Sequence, residues 1–224
     1  VGRQSRALRT RFAILEAAAD VFGERGYEGA TITEVYERAS MTKGALYFHF
    51  RSKEELARAI LEVAVTTEGI QPQELKFQEV VDILLVMAYR LPREPMLSAA
   101  LRLSVDVPSR LLFGTRWPAW SELLAGLVTE ARERGEALPY IDAQEVGRTL
   151  TSAWTGVRVV TEGLPHEYDL TEEVARLLRM LLPGLVVPAV LARLDVSAKR
   201  AESLCEQLPP RGPEDAEGDA LELG

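Results

Sequence analysis

Thr31-Ile32-Thr33-Glu34-Val35-Tyr36-Glu37-Arg38-Ala39-Ser40-Met41-Thr42-Lys43-Gly44-Ala45-Leu46-Tyr47-Phe48-His49-Phe50 is the stretch on which the fold turns. Thr31 followed three residues later by Glu34 is a capping-box pattern, and it predicts a short helix over about 33–39. A tight turn follows at Ser40-Met41-Thr42. A second short helix then starts with Thr42 as its N-cap and Lys43 in its first turn. Two short helices joined this way form a helix-turn-helix, whose second helix offers its N-terminal residues to the DNA major groove. Gly44 and Ala45 are small enough for close approach to a duplex. Lys43 supplies a cation, and Thr42, Tyr47 and His49 supply donors for phosphates or base edges. A neutral His49 donates one hydrogen bond, while nearby phosphates favour its charged form. Leu46, Phe48 and Phe50 read as the apolar residues that hold this helix against its neighbours. The same pattern also suits two short helices of a helical protein with no DNA contact, where a lysine flanked by aromatics is a solvated cation beside a core.

Outward from this stretch, helical periodicity dominates. Phe12, Leu15, Ala18, Ala19 and Phe22 recur at steps of three and four, an amphipathic helix that Gly26 ends. Ser52-Lys53-Glu54-Glu55 repeats the capping pattern ahead of Leu56, Ala57, Ile60, Leu61 and Ala64, a fourth helix. Further helices are predicted over 74–90, 96–105, 117–134, 142–163 and 171–194, the last with a kink or break at Pro183-Gly184. β-branched runs such as Val157-Arg158-Val159-Val160-Thr161 are short, and nothing alternates over enough residues to demand a sheet. The fold is read as all-α.

The chain has 224 residues, a net charge of −8 and a pI near 5.0, an average that argues against phosphate contacts. The charge is unevenly placed. Residues 1–66 carry ten basic and nine acidic side chains, whereas the remainder carries sixteen and twenty-five. The first 15 residues hold four arginines and no carboxylate, and all twelve prolines lie at Pro72 or beyond. A single cysteine, Cys205, excludes an intrachain disulfide framework and a multi-cysteine zinc site, and two histidines exclude a site of three imidazoles. No metal site and no cofactor are expected. No apolar stretch approaches the ~18–20 residues that span a bilayer. The basic N-terminus lacks the apolar run of a secretion signal, so a cytoplasmic location is expected. Catalysis lacks its usual parts: there is no Gly-x-Ser-x-Gly elbow and no phosphate-cradling glycine loop. A Ser-His-acid site would have to use His49 or His166, so no catalytic residue is assigned.

Residues 10–65 resemble the N-terminal domain of the TetR family of transcriptional regulators. The resemblance rests on Ile14-Leu15-Glu16-Ala17-Ala18, Phe22, Gly26-Tyr27, Thr31, Ile32, Lys43 to Phe50, and Lys53-Glu54-Glu55-Leu56. The phrase Thr42 to Phe50 looks most like the γ-butyrolactone autoregulator receptors of Streptomyces-type actinobacteria. The resemblance implies that Thr42, Lys43, Gly44, Tyr47 and His49 lie on or beside the DNA-reading helix. It implies phosphate contacts for Thr31 and Thr33, opening the second helix, and for Lys53, opening the fourth. It assigns no role to the arginines before Arg11, whose charge fits a basic arm beside the duplex as well as a solvated terminus.

The implied organisation is a helix-turn-helix head (1–52), a connecting helix (53–66), a helical ligand-binding and dimerisation domain (67–200) and a disordered acidic tail (205–224). In TetR-like proteins two helices per subunit form a homodimer. Here these are about 142–163 and 171–194, the latter with an apolar stripe of Val174, Leu177, Leu178, Leu181, Leu182 and Leu185 that a buried core face explains equally well. A twofold dimer reads half-sites of a palindromic double-stranded operator spaced by ~34–36 Å or a multiple. The resemblance to butyrolactone receptors points to Trp120 as a lining residue of a cavity for a small hydrophobic effector, a γ-butyrolactone or butenolide-like signal. Trp154, Thr155 and Thr161 follow by helix phase, although a core aromatic or a threonine bonded back to its own helix explains these three equally well. The expected function is a ligand-responsive repressor of antibiotic or secondary-metabolite genes. The alternatives are a regulator sensing an antibiotic or xenobiotic, a lactone-processing hydrolase, and a helical adaptor that never touches DNA.

Overall fold

The structure is a computed structural model that describes residues 2–62 and 70–207, with side chains from Arg6 onward. In chain order the helices are α1 (Gly2–Gly29), α2 (Ile32–Arg38), α3 (Lys43–His49), α4 (Lys53–Glu62), α5 (Lys76–Arg90), α6 (Pro95–Val105) and α7 (Val107–Phe113). They continue with α8 (Trp117–Glu133), α9 (Ala143–Gly163), α10 (Leu170–Leu181), α11 (Pro188–Leu191) and α12 (Ala198–Glu206). Among the described residues the only β-type pairing is an isolated antiparallel bridge between Ala137 and Val186. The all-α reading holds.

Two compact units emerge, 2–62 with 91–116 and 70–90 with 117–207. Sequence reasoning placed 91–116 in the sensing domain. In the structure α6 packs along α1 and α4, and Ala99, Ala100 and Leu103 enter the same core as Ile14, Phe22, Leu46, Phe50, Leu56 and Ile60. Hydrophobic periodicity tells which face of α6 is buried but not which partner buries it. Side chains from this segment also satisfy carbonyls of the head: Arg102 donates to the Gly23 carbonyl and Arg116 to that of Leu61, the latter at 3.3 Å. The chain therefore passes between the units three times.

Within the head, Gly26 adopts φ 70° and ψ 175°, a positive-φ conformation open to glycine, and kinks α1 where the sequence predicted its end; helix resumes to Gly29. Thr31 forms the predicted capping box, its Oγ1 accepting from the Glu34 amide at 3.2 Å while the Glu34 carboxylate accepts from the Thr31 amide at 3.0 Å. The turn after α2 is a Schellman motif in which the Met41 amide donates to the Tyr36 carbonyl at 2.9 Å. Ser40 takes the left-handed position with φ 53°. A serine there carries a steric cost of about 1–2 kcal/mol. Ser40→Gly is expected to hold or raise head stability despite the added unfolded-chain entropy. Ser40→Val is expected to lose at least ~1 kcal/mol, read as a fall in the denaturation midpoint in urea.

The second unit is built around α5, whose residues from Phe77 to Ala88 are all buried, as suits a helix apolar almost all round. Its N-terminus is closed by the buried Glu136 carboxylate, which accepts from the Lys76 and Phe77 amides, both at 3.1 Å. The segment after α10 crosses α5 through a polar ladder, in which Gln78 accepts from the Asp195 amide and Arg200 grips the fully buried Asp82 at 2.5 and 2.7 Å. α8 and α9 meet at Gly147, where an added Cβ would lie 2.4 Å from the Ser121 carbonyl oxygen.

The helix predicted over 171–194 breaks where Pro183 removes a backbone donor: α10 ends at Leu181, a 3-10 turn spans Leu182–Gly184, and α11 restarts at Pro188. α7 and α12 were not anticipated from periodicity, because neither is long enough to display it. α12 runs to Glu206, so the first residues of the predicted tail are helical; the rest of that tail, from 208, lies outside the described residues, as do 63–66 of the connecting helix.

Candidate nucleic-acid interface and sensor site

α3 has two faces separated by helix phase. Leu46 and Phe50, four residues apart, are wholly buried and fasten the helix to the head core. Lys43, Gly44, Tyr47 and Phe48 are exposed, Gly44 and Phe48 on the side away from Leu46. Thr42 Oγ1 caps the helix by accepting from the Ala45 amide at 3.2 Å. Lys43 Nζ stands 5.8 Å from the centroid of the Tyr47 ring, so cation and aromatic share one surface. A Cβ added to Gly44 meets nothing within 4 Å, so no packing inside the protein requires glycine there.

Phe48 is a correction. Sequence reasoning placed it in the core beside Leu46 and Phe50, but it is 82 % exposed. The signal was available: Leu46 and Phe48 are two residues apart, about 200° around a helix, and cannot both face inward. Phe48 packs edge-on to His49 at 5.1 Å between centroids. His49 is partly covered; burial first, and the positive charge of Arg11 second, hold its pKa below the usual imidazole value.

Thr31 and Thr33 are both exposed at the start of α2, with Thr31 also engaged in its capping box. Lys53 is placed differently from its implied phosphate role. Its Nζ donates to the carbonyls of Tyr27 at 2.8 Å and Ala30 at 3.0 Å, and lies 4.4 Å from the Tyr27 ring centroid. Carbonyls left without helical partners at the end of α1 draw the ammonium inward. Tyr27 in turn stacks edge-on with Phe113 of α7 at 4.8 Å, and burial, reinforced by Glu54, pushes its phenol up to about 12.

In the second unit Trp120 of α8 and Trp154 of α9 are both buried. The Trp154 indole N–H donates to the Leu84 carbonyl of α5 at 3.1 Å. Thr161 lies seven residues beyond Trp154 on the same buried face of α9, with Arg158 between them; Thr155 is turned about 100° away. Thr155 and Thr161 donate their hydroxyl protons to the carbonyls of Thr151 and Val157, at 2.8 and 2.9 Å. Arg158 was not anticipated: it is 3 % exposed, and its guanidinium pairs with Glu162 at 2.6 Å. Of the apolar stripe, Val174, Leu178 and Leu182 are fully buried within the protomer, while Leu177, Leu181 and Leu185 are half-buried.

Residues 14–60, which contain this interface, match the family model described as bacterial regulatory proteins, tetR family. The A-factor receptor protein of Streptomyces griseus is 35 % identical to the chain over 209 residues, covering 90 % of this chain and 75 % of that protein. The chain belongs to the TetR family. Solved structures agree beyond the head. TylP, a TetR regulator from Streptomyces fradiae, superposes on the regulator with a TM-score of 0.82 at 37 % identity, over 90 % of this chain and 98 % of that one. A γ-butyrolactone receptor described as ArpA-like gives a TM-score of 0.68 at 30 % identity, over 91 % and 99 %. The regulator is thus a DNA-binding transcriptional regulator with an N-terminal helix-turn-helix and a helical second unit. Among its described residues no helix is long and apolar enough to cross a membrane.

Proposed function

We propose that this regulator is a cytoplasmic homodimeric repressor that leaves a palindromic operator when a γ-butyrolactone or butenolide-type molecule binds its second unit. The observation that carries the DNA half is the exposure of Lys43, Gly44, Tyr47 and Phe48 on α3, with no packing inside the protein requiring glycine at Gly44. Thr42 and His49 flank that face, and Thr31 and Thr33 stand at the start of α2, whose N-terminus suits phosphate. Lys53 fixes the end of α1 through the Tyr27 and Ala30 carbonyls, and its positive charge also favours a nearby phosphate. Phe48 adds an apolar contact suited to a thymine methyl.

The lactone half is supported by the relatives' described ligands and by the buried tryptophans of the second unit, with Trp120 the leading lining residue and Trp154, Thr155 and Thr161 behind it. For the dimer, exposed Val160 of α9, its C-cap Leu164 and Met180 of α10, with Leu177 and Leu181, offer an unpaired apolar surface. Release requires the effector to bind the DNA-incompetent state more tightly than the competent one. Because residues 91–116 belong to the head's unit, such a change passes through three chain crossings and not through α4 alone.

The test uses a duplex that the full chain enriches from a random pool, with binding followed by fluorescence anisotropy. Addition of a synthetic γ-butyrolactone with an apolar side chain is expected to release it. Trp120→Phe keeps bulk in the core; it is expected to retain duplex affinity while needing about tenfold or more lactone for release. Unaltered release in that variant removes Trp120 from the pocket. Release by hydrophobic antibiotics and not by any lactone favours the xenobiotic-sensor reading.

A further inference from the structure

The buried stripe of α9 changes character along its length. Val146 and Leu150 make its first half apolar, as suits a core face. From Trp154 onward the same stripe carries Arg158 and Thr161, about one and two turns further on. Arg158 is 3 % exposed, whereas the side chain of Glu162, with which it pairs at 2.6 Å, is 52 % exposed. The ion pair straddles the surface with its cation inside. Such a pair is a weak source of stability, because desolvation offsets most of the attraction. What it supplies is a charge of fixed position on the face that carries Trp154.

Helix packing sets Arg158 at one end of the α8–α9 pair. Ser121 and Ala125 of α8 lie against Gly147, and the Ser121 hydroxyl donates to that of Thr151 at 3.2 Å. The helices therefore run antiparallel, and residues earlier in α8 lie level with residues later in α9. At 1.5 Å per residue Arg158 is about 10 Å beyond Thr151, whereas α8 reaches only about 6 Å beyond Ser121 to its first residue, Trp117. Arg158 thus stands roughly one turn past the start of α8. Trp120 and Trp154 belong to this same end of the pair.

We infer that Arg158 is the polar anchor of the effector site, donating from its guanidinium to a carbonyl oxygen of the effector while the tryptophans take its apolar part. The inference rests on the reading of the second unit as a lactone sensor. It names the chemistry selected there: an apolar molecule carrying a compact oxygen acceptor. Small-molecule sites use few polar groups, each precisely placed among apolar walls. A guanidinium suits that task, with five N–H donors in a rigid plane and a charge that no physiological pH removes. The effector oxygen joins or replaces the acceptors that Arg158 has in the effector-free protein. Half-exposed Glu162 is solvated by water when it gives way.

The experiment uses two probes with the same apolar chain, one on a γ-butyrolactone ring and one on a tetrahydrofuran ring, which lacks the carbonyl. Each is titrated against the full chain on its enriched duplex, with release followed by fluorescence anisotropy. The wild-type chain is expected to need about tenfold or more of the tetrahydrofuran, since losing it leaves a buried charged donor without that acceptor. Arg158→Met keeps an unbranched side chain and removes the charge. It is expected to hold duplex affinity and to need about tenfold more lactone, with the two probes then releasing at similar concentrations. Should the methionine variant not fold, Arg158→Gln takes its place and is expected to keep only part of the preference for lactone. Equal potency of the two probes on the wild-type chain overturns the inference. So does a full wild-type preference in the folded variant, even where both probes weaken together, because a merely structural arginine gives that result. Either outcome, with lactone still releasing the wild-type chain, leaves the lactone-sensor reading standing. A wild-type chain released by neither probe overturns both.

Discussion

Gly147→Ala is expected to destabilise the second unit by roughly 2 kcal/mol or more, despite replacing glycine by the best helix former in the second turn of α9. The usual gain for that exchange is about 1 kcal/mol. Against it stands a Cβ that would sit 2.4 Å from the Ser121 carbonyl oxygen, 3.0 Å from the Ala125 amide nitrogen and 3.1 Å from the Ala125 side chain. Two of these three neighbours are backbone, so no rotamer change relieves the clash, and α8 must move away from α9. Overpacking of this kind costs typically about 1–3 kcal/mol and occasionally more. The displacement would also disturb the Ser121–Thr151 hydroxyl pair, 3.2 Å apart across the same helix–helix seam. For a chain of this size a destabilisation of this magnitude lowers the melting temperature by roughly 5 °C or more. Gly126→Ala is the control. It lies on exposed helix in α8 with nothing within 4 Å of an added Cβ, so the same exchange is expected to stabilise. Equal melting temperatures for the two variants, followed by circular dichroism, would contradict the close approach of α8 and α9.

On α3 the two substitutions with the largest expected effect on DNA binding leave folding intact. Lys43→Ala removes an exposed cation from the first turn of the reading helix. A good base-edge contact is worth about 1–3 kcal/mol, and a dimer forfeits one at each half-site, so affinity is expected to fall by at least about tenfold. Gly44→Ala separates stability from binding more sharply. Nothing in the protein meets the added methyl, so head stability is expected to rise by up to ~1 kcal/mol. If the duplex comes as close to α3 as its exposed small-residue face allows, the same methyl intrudes on the interface and weakens binding by roughly tenfold or more. A raised melting temperature together with weakened binding is the expected pair of results. Unchanged binding in both variants would remove the N-terminal turn of α3 from the interface.

Much of the head could be read from residue order alone. The Thr31–Glu34 capping box and the Thr42 cap are decided within a few residues of chain and form as read, and Gly26 interrupts α1, which resumes to Gly29. Such features depend on local backbone donors and acceptors, which neighbouring side chains satisfy wherever the segment is placed. Phe48 was misplaced by composition, although helix phase alone contradicted a core position. Lys53 was a different case. A lysine at the start of a helix looks the same in sequence whether or not another helix end lies beside it, and only the position of the Tyr27 and Ala30 carbonyls shows that Lys53 Nζ is held there.

The sequence by itself determined that the chain is helical, where its caps and breaks fall, and that a helix-turn-helix of TetR type opens it. These rest on interactions a few residues long, and on the strong constraint that a buried helix face imposes on side-chain pattern. Tertiary structure alone decided which unit owns α6 and α7, why Gly147 must lack a side chain, and that Asp82 is buried in the grip of Arg200, 118 residues away. It also divided the apolar stripe of α10 between the protomer's own core and a half-exposed edge. The physical reason is common to all four. A residue's periodicity specifies that it needs a partner of a given polarity and size, but the partner's identity depends on the packing of elements distant in the chain.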